Sequence, residues 1–319
     1  MRVVYLVQNP GIASRTPDGW QSAVITPAAD GQCSERDLEL VAEADILVVG
    51  LFPVTETMLS RARRLKLVQR LGVGYDNIDL AAASRRGVPV CNMADFNAAT
   101  VAEHTIMMML GLLRRVFEST LLMKSGRWPT HEVISGGNHD LRGRTVGLIG
   151  LGAIGRDVAR RLGPFEVRMC YHERRRLSAH EERELRVSFV SLDQLLRESD
   201  VVSVHVPHTP DTHRLLGRAE LRSMKRSAIL VNTARGAVID EDALAEALRA
   251  GELAGAGLDV FAEEPLPARH PLRTCPNLLL TPHTAGQTRE AMERMVEMLL
   301  ENFGRVARGE EPANRVSWD

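Results

Sequence analysis

The stretch "TVGLIGLGAIG", residues 145–155, constrains this 319-residue chain more than any other. An apolar run of β type meets three glycines, Gly150, Gly152 and Gly155, spaced G-x-G-x-x-G, and the helical pattern "AIGRDVARRLG" follows at once. Each glycine has its own reason. The first permits a tight turn, the second lets a pyrophosphate approach the backbone, and the third lets the helix pack closely on the strand. The helix start offers unpaired N–H groups and the positive end of its dipole to phosphate. A glycine-rich turn alone is weak evidence. A strand before it, a helix after it and a second strand beyond, "EVRMCY" (166–171), are what a dinucleotide-binding βαβ unit requires.

The same geometry asks for an acid at the end of the second strand, to accept the ribose hydroxyls. Glu173, in "YHERRR" (171–176), stands there. Its carboxylate would repel a 2′-phosphate, whereas Arg174 beside it would pair with one. The stretch therefore favours NAD and tolerates NADP. Arg176 reads as the solvated start of the next helix.

Short apolar runs alternate with helical patterns along the rest of the chain. "RVVYLV" (2–7), "DILVVG" (45–50), "LKLVQR" (65–70) and "VPVC" (88–91) read as strands, with helices in "SERDLELVAEA" and "NIDLAAASRRG". Residues 99–124 form one long helical pattern. A second series follows the glycine loop: "VSFV" (187–190), "VVSVHV" (201–206), "AILVN" (228–232), "AGAGLDV" (254–260) and "NLLLT" (277–281), closed by a helix near 287–308. Alternation of this kind builds parallel sheets buried on both faces. Two open α/β domains, the first interrupted by the second, satisfy the pattern. The methionines 107–109 read as packing between them.

Composition narrows the function classes. A net charge of −1 with 25% charged residues provides no field for nucleic acid or an anionic membrane. The four cysteines form no CxxC pair, which fits a reducing compartment rather than a disulfide framework or zinc site. The longest apolar stretch, "TIMMMLGLL" (105–113), is half a bilayer span. The chain reads as cytoplasmic, with no membrane or nucleic-acid partner. Prolines interrupt His205, His208 and His213, so no metal site is expected there.

Groups suited to chemistry follow the later strands. Arg235 stands after "AILVN", Asp259 and Glu264 in "GLDVFAEEPLP", and His283 in "LLLTPHTAG". An arginine grips a carboxylate through two parallel hydrogen bonds, and a histidine exchanges a proton near neutral pH. His104, inside the long helix, reads as a packed or capping residue. Arg70, before "GVGYDN", could pair locally or reach a charged substrate tail.

In order and spacing, "GVGYDNIDL", "TVAEHTI", "GLIGLGAIG", "HVPHTPDTHRLL", "MKRSAILVNTARGAVIDEDALAEAL", "AGAGLDVFAEEPLP" and "LLTPHTAG" resemble the D-isomer-specific 2-hydroxyacid dehydrogenase family nearly end to end. The resemblance implies a Rossmann-type cofactor domain (99–287) inserted into a discontinuous flavodoxin-like substrate domain (1–98 plus 288–319), and a homodimer. It implies that Arg235 binds and polarises a 2-oxo acid, that His283 is the acid/base and that Glu264 is its partner. The amides of Val73 and Gly74 would hold the substrate carboxylate. Asp259 would hold the nicotinamide carboxamide, with Thr233 and Ala234 near it. Ala153 and Ile154 would touch the pyrophosphate, and Val206, Pro207 and Gly286 complete the expected cofactor contacts.

Phosphoglycerate dehydrogenases of this family carry arginines in the loop after the second strand. Here that loop, "GLFPVTETM" (50–58), has Phe52 and Pro53 and no arginine, and the regulatory C-terminal domain of many of them is expected to be absent. Glyoxylate or hydroxypyruvate is the expected type of substrate. A phosphoglycerate dehydrogenase and an NAD(H)-sensing corepressor with little turnover are the alternatives.

Overall fold

The computed structural model describes residues 1–8, 10–27 and 33–316. The chain divides into two compact units, Met1–Phe96 with Thr288–Asp319, and Asn97–Gln287.

In the first unit, β1 (Arg2–Leu6), β2 (Gln21–Ile25), β3 (Ile46–Val49), β4 (Leu67–Arg70) and β5 (Val90–Cys91) pair in parallel in the order β2-β1-β3-β4-β5. This is a flavodoxin-like order. Every residue of β3 and β4 is buried, as a strand covered on both faces must be. The sequence gives no sign of β2, because only Ile25 of its five residues is buried and an edge strand needs no apolar run. Helices α1 (Glu35–Ala42), α2 (Glu56–Arg61) and α3 (Leu80–Arg85) begin at Ser34, Thr55 and Asp79, whose side chains each accept a first-turn backbone N–H. Their apolar faces share one core with Val4, Leu6, Leu47, Val49 and Val68.

The second unit opens with α4 (Ala98–Leu113), α5 (Val116–Lys124) and α6 (Thr130–Ser135). The single helix expected over 99–124 is broken: Arg115 is left-handed at φ 47° and turns its Nε to Glu118 Oε2 at 2.7 Å. The βα series that follows is β6 (Thr145–Ile149), α7 (Ala153–Leu162), β7 (Arg168–His172), α8 (Ala179–Leu185), β8 (Val187–Phe189), α9 (Leu192–Glu198), β9 (Val201–Val204), α10 (Arg218–Ser223), β10 (Ile229–Asn232), α11 (Glu241–Arg249), β11 (Gly255–Leu258) and β12 (Leu278–Leu280). All seven strands are parallel, in the order β12-β11-β10-β9-β6-β7-β8. Read from β8, the first six follow the Rossmann order, with the strand order reversing between β6 and β9.

Helices α9, α10 and α11 pack on one face of this sheet, and α4, α7 and α8 on the other. Met108 and Met109 lie in this unit's own core, not in packing between domains. The glycine strand explains it: a Cβ on Gly257 would stand 3.2 Å from the Met108 sulfur, so the bare backbone makes room for α4. The chain then returns to the first unit as α12 (Arg289–Arg308). Its Met295, Leu299 and Phe303 cover the face of β1, β3 and β4 opposite α1–α3.

Candidate active site

Strand register alone assembles the site. Ile149 of β6 pairs with His172 of β7 and Val204 of β9, Asn232 of β10 pairs with Val204 and Leu258, and Leu258 of β11 pairs with Leu280 of β12. These six residues form one rung across the sheet. The next residue of each strand is then, in spatial order, Thr281, Asp259, Thr233, His205, Gly150 and Glu173. They line the carboxyl edge of the sheet, where open α/β folds bind ligands. Residues spread over more than a hundred positions of sequence become neighbours because parallel strands share direction and register.

At the switch point, Gly150 has φ +96°, and a Cβ there would meet the His205 carbonyl carbon at 2.8 Å and Val206 Cγ1 at 2.9 Å. A Cβ on Gly155 would meet the Gly150 oxygen at 2.3 Å, so only glycine lets α7 start this close to β6. Above Gly152 there is open space, and no side chain caps the first turn of α7. The amides around Ala153 and Ile154 are thus left for an anion, which fits a dinucleotide pyrophosphate. Glu173 Oε1 accepts the Leu151 N–H at 2.8 Å, so the glycine loop itself holds the carboxylate. Arg174 is exposed, 4.0 Å from Asp211. Arg176 is not simply solvated: it pairs with Glu182 at 2.8 and 3.0 Å and lies over the Phe189 ring.

His205 Nε2 meets Ser203 Oγ at 2.9 Å, while its Nδ1 is shut from solvent without a hydrogen-bond partner. Burial pushes its pKa down to about 4. An unfolded histidine titrates near 6.5, so the unfolded chain binds an extra proton between those values. Stability is full above pH 6.5 and declines as pH falls toward 4, by at most about 3 kcal/mol from this residue. Thermal melts across that window are expected to fall less steeply in His205→Gln than in the parent. An identical slope would remove His205 as the cause.

Arg235 is placed by a clamp on the turn before it. The buried Asn232 side chain accepts from Ala234 N at 3.0 Å and donates to the Arg235 carbonyl at 2.9 Å. Gly236 presses against the next strand's loop, where a Cβ would overlap Phe261 carbon at 1.9 Å. Thr233 Oγ1 meets Thr105 Oγ1 of α4 at 2.9 Å.

Glu264 Oε1 accepts the Phe261 N–H at 2.9 Å, and its Oε2 lies 2.6 Å from His283 Nδ1. A carboxylate is an acceptor, so Nδ1 carries a proton and, in the neutral ring, Nε2 is the acceptor nitrogen. Burial raises the Glu264 pKa, but the hydrogen bonds from His283 and Phe261, with Arg235 nearby, outweigh it and hold the carboxyl below its ordinary range. His283 sits at φ 54°, a left-handed conformation that costs a non-glycine residue roughly 1–3 kcal/mol and persists only when surroundings impose it. Here the imposing group is Asp259: its carbonyl accepts from His283 N at 2.7 Å, and its carboxylate accepts from Thr284 N and Ala285 N at 2.9 and 2.8 Å. Gly286 lies against Asn97, whose Nδ2 would stand 2.3 Å from an added Cβ.

In the first unit, Val73 and Gly74 belong to an exposed loop after β4; Asn92 Nδ2 donates to the Val73 carbonyl at 2.7 Å. Asn77 joins this loop to the preceding one by donating to Phe52 O at 2.6 Å and Gly50 O at 3.2 Å. Arg70 is buried and donates to the Leu71 carbonyl at 2.6 Å. Asn232, Gly236 and Thr281 are site-building residues that sequence reasoning missed; their places just at or past a strand end were the available signal. Among the described residues no cluster of His, Cys, Asp or Glu is arranged for a metal, and no helix is long and apolar enough to cross a membrane.

The profile described as "D-isomer specific 2-hydroxyacid dehydrogenase, NAD binding domain" matches residues 106–285. A glyoxylate reductase of Korarchaeum cryptofilum is 42% identical over 283 residues, 88% of this chain and 85% of that protein. An NAD-dependent formate dehydrogenase of Staphylococcus aureus, solved with NAD, superposes with a TM-score of 0.87 at 32% identity over 99% of both chains. An NADPH-dependent glyoxylate/hydroxypyruvate reductase of Sinorhizobium meliloti, solved with NADP and malonate, gives 0.86 at 30% identity, covering 99% of this chain and 96% of that one. The carboxyl-edge glycine loop and the matched segment coincide in the second unit, and the chain belongs to the D-isomer specific 2-hydroxyacid dehydrogenase family of oxidoreductases.

Proposed function

We propose that the protein reduces a small 2-oxo acid of the glyoxylate or hydroxypyruvate type to its 2-hydroxy acid, with NADH favoured over NADPH. The observation that carries this reading is the 2.6 Å His283–Glu264 pair at the carboxyl edge of a nucleotide-binding sheet, with the Arg235 charge acting on the same carboxylate. When bound, the nicotinamide supplies hydride to the carbonyl carbon. Arg235 binds the 2-oxo acid and stabilises charge growing on its carbonyl oxygen. His283, protonated on both ring nitrogens before the reduction, donates its Nε2 proton to that oxygen; Glu264 stabilises this imidazolium and holds the neutral product as its Nδ1–H tautomer. Val73 and Gly74 are assigned the substrate carboxylate through their backbone amides. Glu173 is assigned the ribose hydroxyls; its anchoring by the Leu151 N–H supports a fixed negative charge where a 2′-phosphate would otherwise sit.

The test is a panel of 2-oxo acids assayed with both NADH and NADPH. Turnover of glyoxylate or hydroxypyruvate, with higher kcat/KM for NADH, is the expected result. Tight NADH binding without turnover of any member would favour an NAD(H) sensor instead. A higher kcat/KM with NADPH would reverse the cofactor assignment.

A homodimer and a cytoplasmic location belong to the same reading. Support for the first is a run of exposed apolar side chains, Val116, Phe117, Leu121, Met123, Trp128 and Ile134, on and after α5, which has no buried residue. Sedimentation equilibrium is expected to return twice the 35.2 kDa chain mass. The double variant F117E/W128E should sediment as monomer; a parent that is already monomeric would end this part of the proposal.

A further inference from the structure

The His283 turn rests on a polar chain that reaches back into α4. Thr281 Oγ1 lies 2.5 Å from Asp259 Oδ1 and 3.1 Å from His104 Nε2, and His104 Nε2 is 3.9 Å from the same carboxylate oxygen. Proton counting fixes the direction of every bond. A hydroxyl has one proton, and the carboxylate can only accept, so Thr281 gives that proton to Asp259. The Thr281 oxygen is then an acceptor toward the imidazole, and His104 Nε2 must carry a proton. Burial lowers the His104 pKa more than Asp259 raises it, so the ring is neutral near pH 7 and Nε2–H is its single N–H. The chain therefore reads His104 Nε2–H to Thr281 oxygen, and Thr281 O–H to Asp259. The same Oδ1 also accepts Thr284 N, and Oδ2 accepts Ala285 N, which together close the turn that carries His283. Three of about four acceptor positions on the carboxylate are filled, which leaves one on Oδ2 for a ligand.

We propose that Thr281 and His104 are positioning residues for His283: they hold Asp259 in the rotamer that keeps His283 left-handed and aligned with Glu264. Neither touches the reacting atoms. This rests on the acid/base reading of His283, and it accounts for two side chains which that reading leaves idle. At these half-buried positions a packing role would be met by any side chain of equal volume, whereas this role needs a hydroxyl at 281 and a donor at 104. A displacement of about 1 Å at the proton donor costs on the order of 100-fold in rate, so a modest loosening of the turn is measurable.

The experiment compares Thr281→Val with Thr281→Ser, and His104→Leu with His104→Gln, in the full chain saturated with NADH. The Val and Leu variants should lose roughly 10- to 100-fold in kcat, with KM for glyoxylate and the NADH Kd within about threefold of the parent. The Ser and Gln variants, which restore the hydroxyl and the donor, should return to within about threefold in kcat. A second readout is independent of turnover: the low-field imidazole N–H resonance of His283 on Glu264, identified in histidine-labelled protein by its loss in His283→Asn. It should broaden or vanish in the Val and Leu variants and persist in Ser and Gln. Unchanged kcat and resonance in Thr281→Val overturn the proposal, as does a loss that Ser and Gln fail to rescue. A parent that turns over no 2-oxo acid defeats the functional reading alone, because the resonance still reports on the chain.

Discussion

His283→Asn is expected to lower kcat by about two to four orders of magnitude while leaving the NADH Kd nearly unchanged. The amide of asparagine can occupy the Nδ1 position and donate to Glu264, so the turn keeps its partner, and asparagine tolerates a left-handed backbone better than most residues. What disappears is the second nitrogen. The loss should therefore fall on proton transfer and not on nucleotide binding, which the proposed function assigns to the glycine loop and Glu173. Stopped-flow reduction of glyoxylate with pre-bound NADH separates the two. If the variant retained more than a tenth of parent kcat, His283 would not be the proton donor. The acid limb gives a further check. Glu264 has its carboxyl held below the ordinary range, so its hydrogen bond to His283 adds stability above the unfolded carboxylate value and loses it only as pH falls through the lower folded value. The pair thus survives mild acid.

Much of this site was legible in the sequence for a specific reason. Parallel strands buried on both faces must be written as apolar runs, and their ends then mark the ligand edge. Gly150, Glu173, Thr233 and Asp259 each follow such a run, and the registers that align them are set by burial. Strand β2 was invisible because an edge strand that buries one residue leaves no run to read. The break at Arg115 was invisible for the opposite reason: the apolar pattern continues on both sides of a left-handed residue that is neither glycine nor asparagine. The sequence also could not show what holds the functional side chains. The donation from Thr281 to Asp259 and the clamp formed by Asn232 depend on hydroxyl and amide geometry, which spacing does not encode.

Arg235→Lys tests the other half of the chemistry, and kcat/KM for glyoxylate should fall by about 10²- to 10³-fold, near the cost of removing one donor from a developing oxyanion. Charge is conserved, so the argument rests on shape. A guanidinium offers several N–H groups in one plane and can address the carbonyl oxygen and an adjacent carboxylate together; an ammonium is a point charge that cannot do both from the same stem. The backbone around position 235 argues against displacement as the cause. Asn232 clamps the Ala234 amide and the Arg235 carbonyl, and Gly236 is wedged against Phe261, so the turn is held by atoms the substitution leaves alone. Lysine should accordingly leave the melting temperature and NADH affinity close to the parent. Binding of an unreactive isostere of glyoxylate should weaken less than kcat/KM falls, because the missing interactions grow as charge collects on the carbonyl oxygen. Equal losses in isostere affinity and kcat/KM would instead make Arg235 a ground-state anchor, with the oxyanion stabilised by another group.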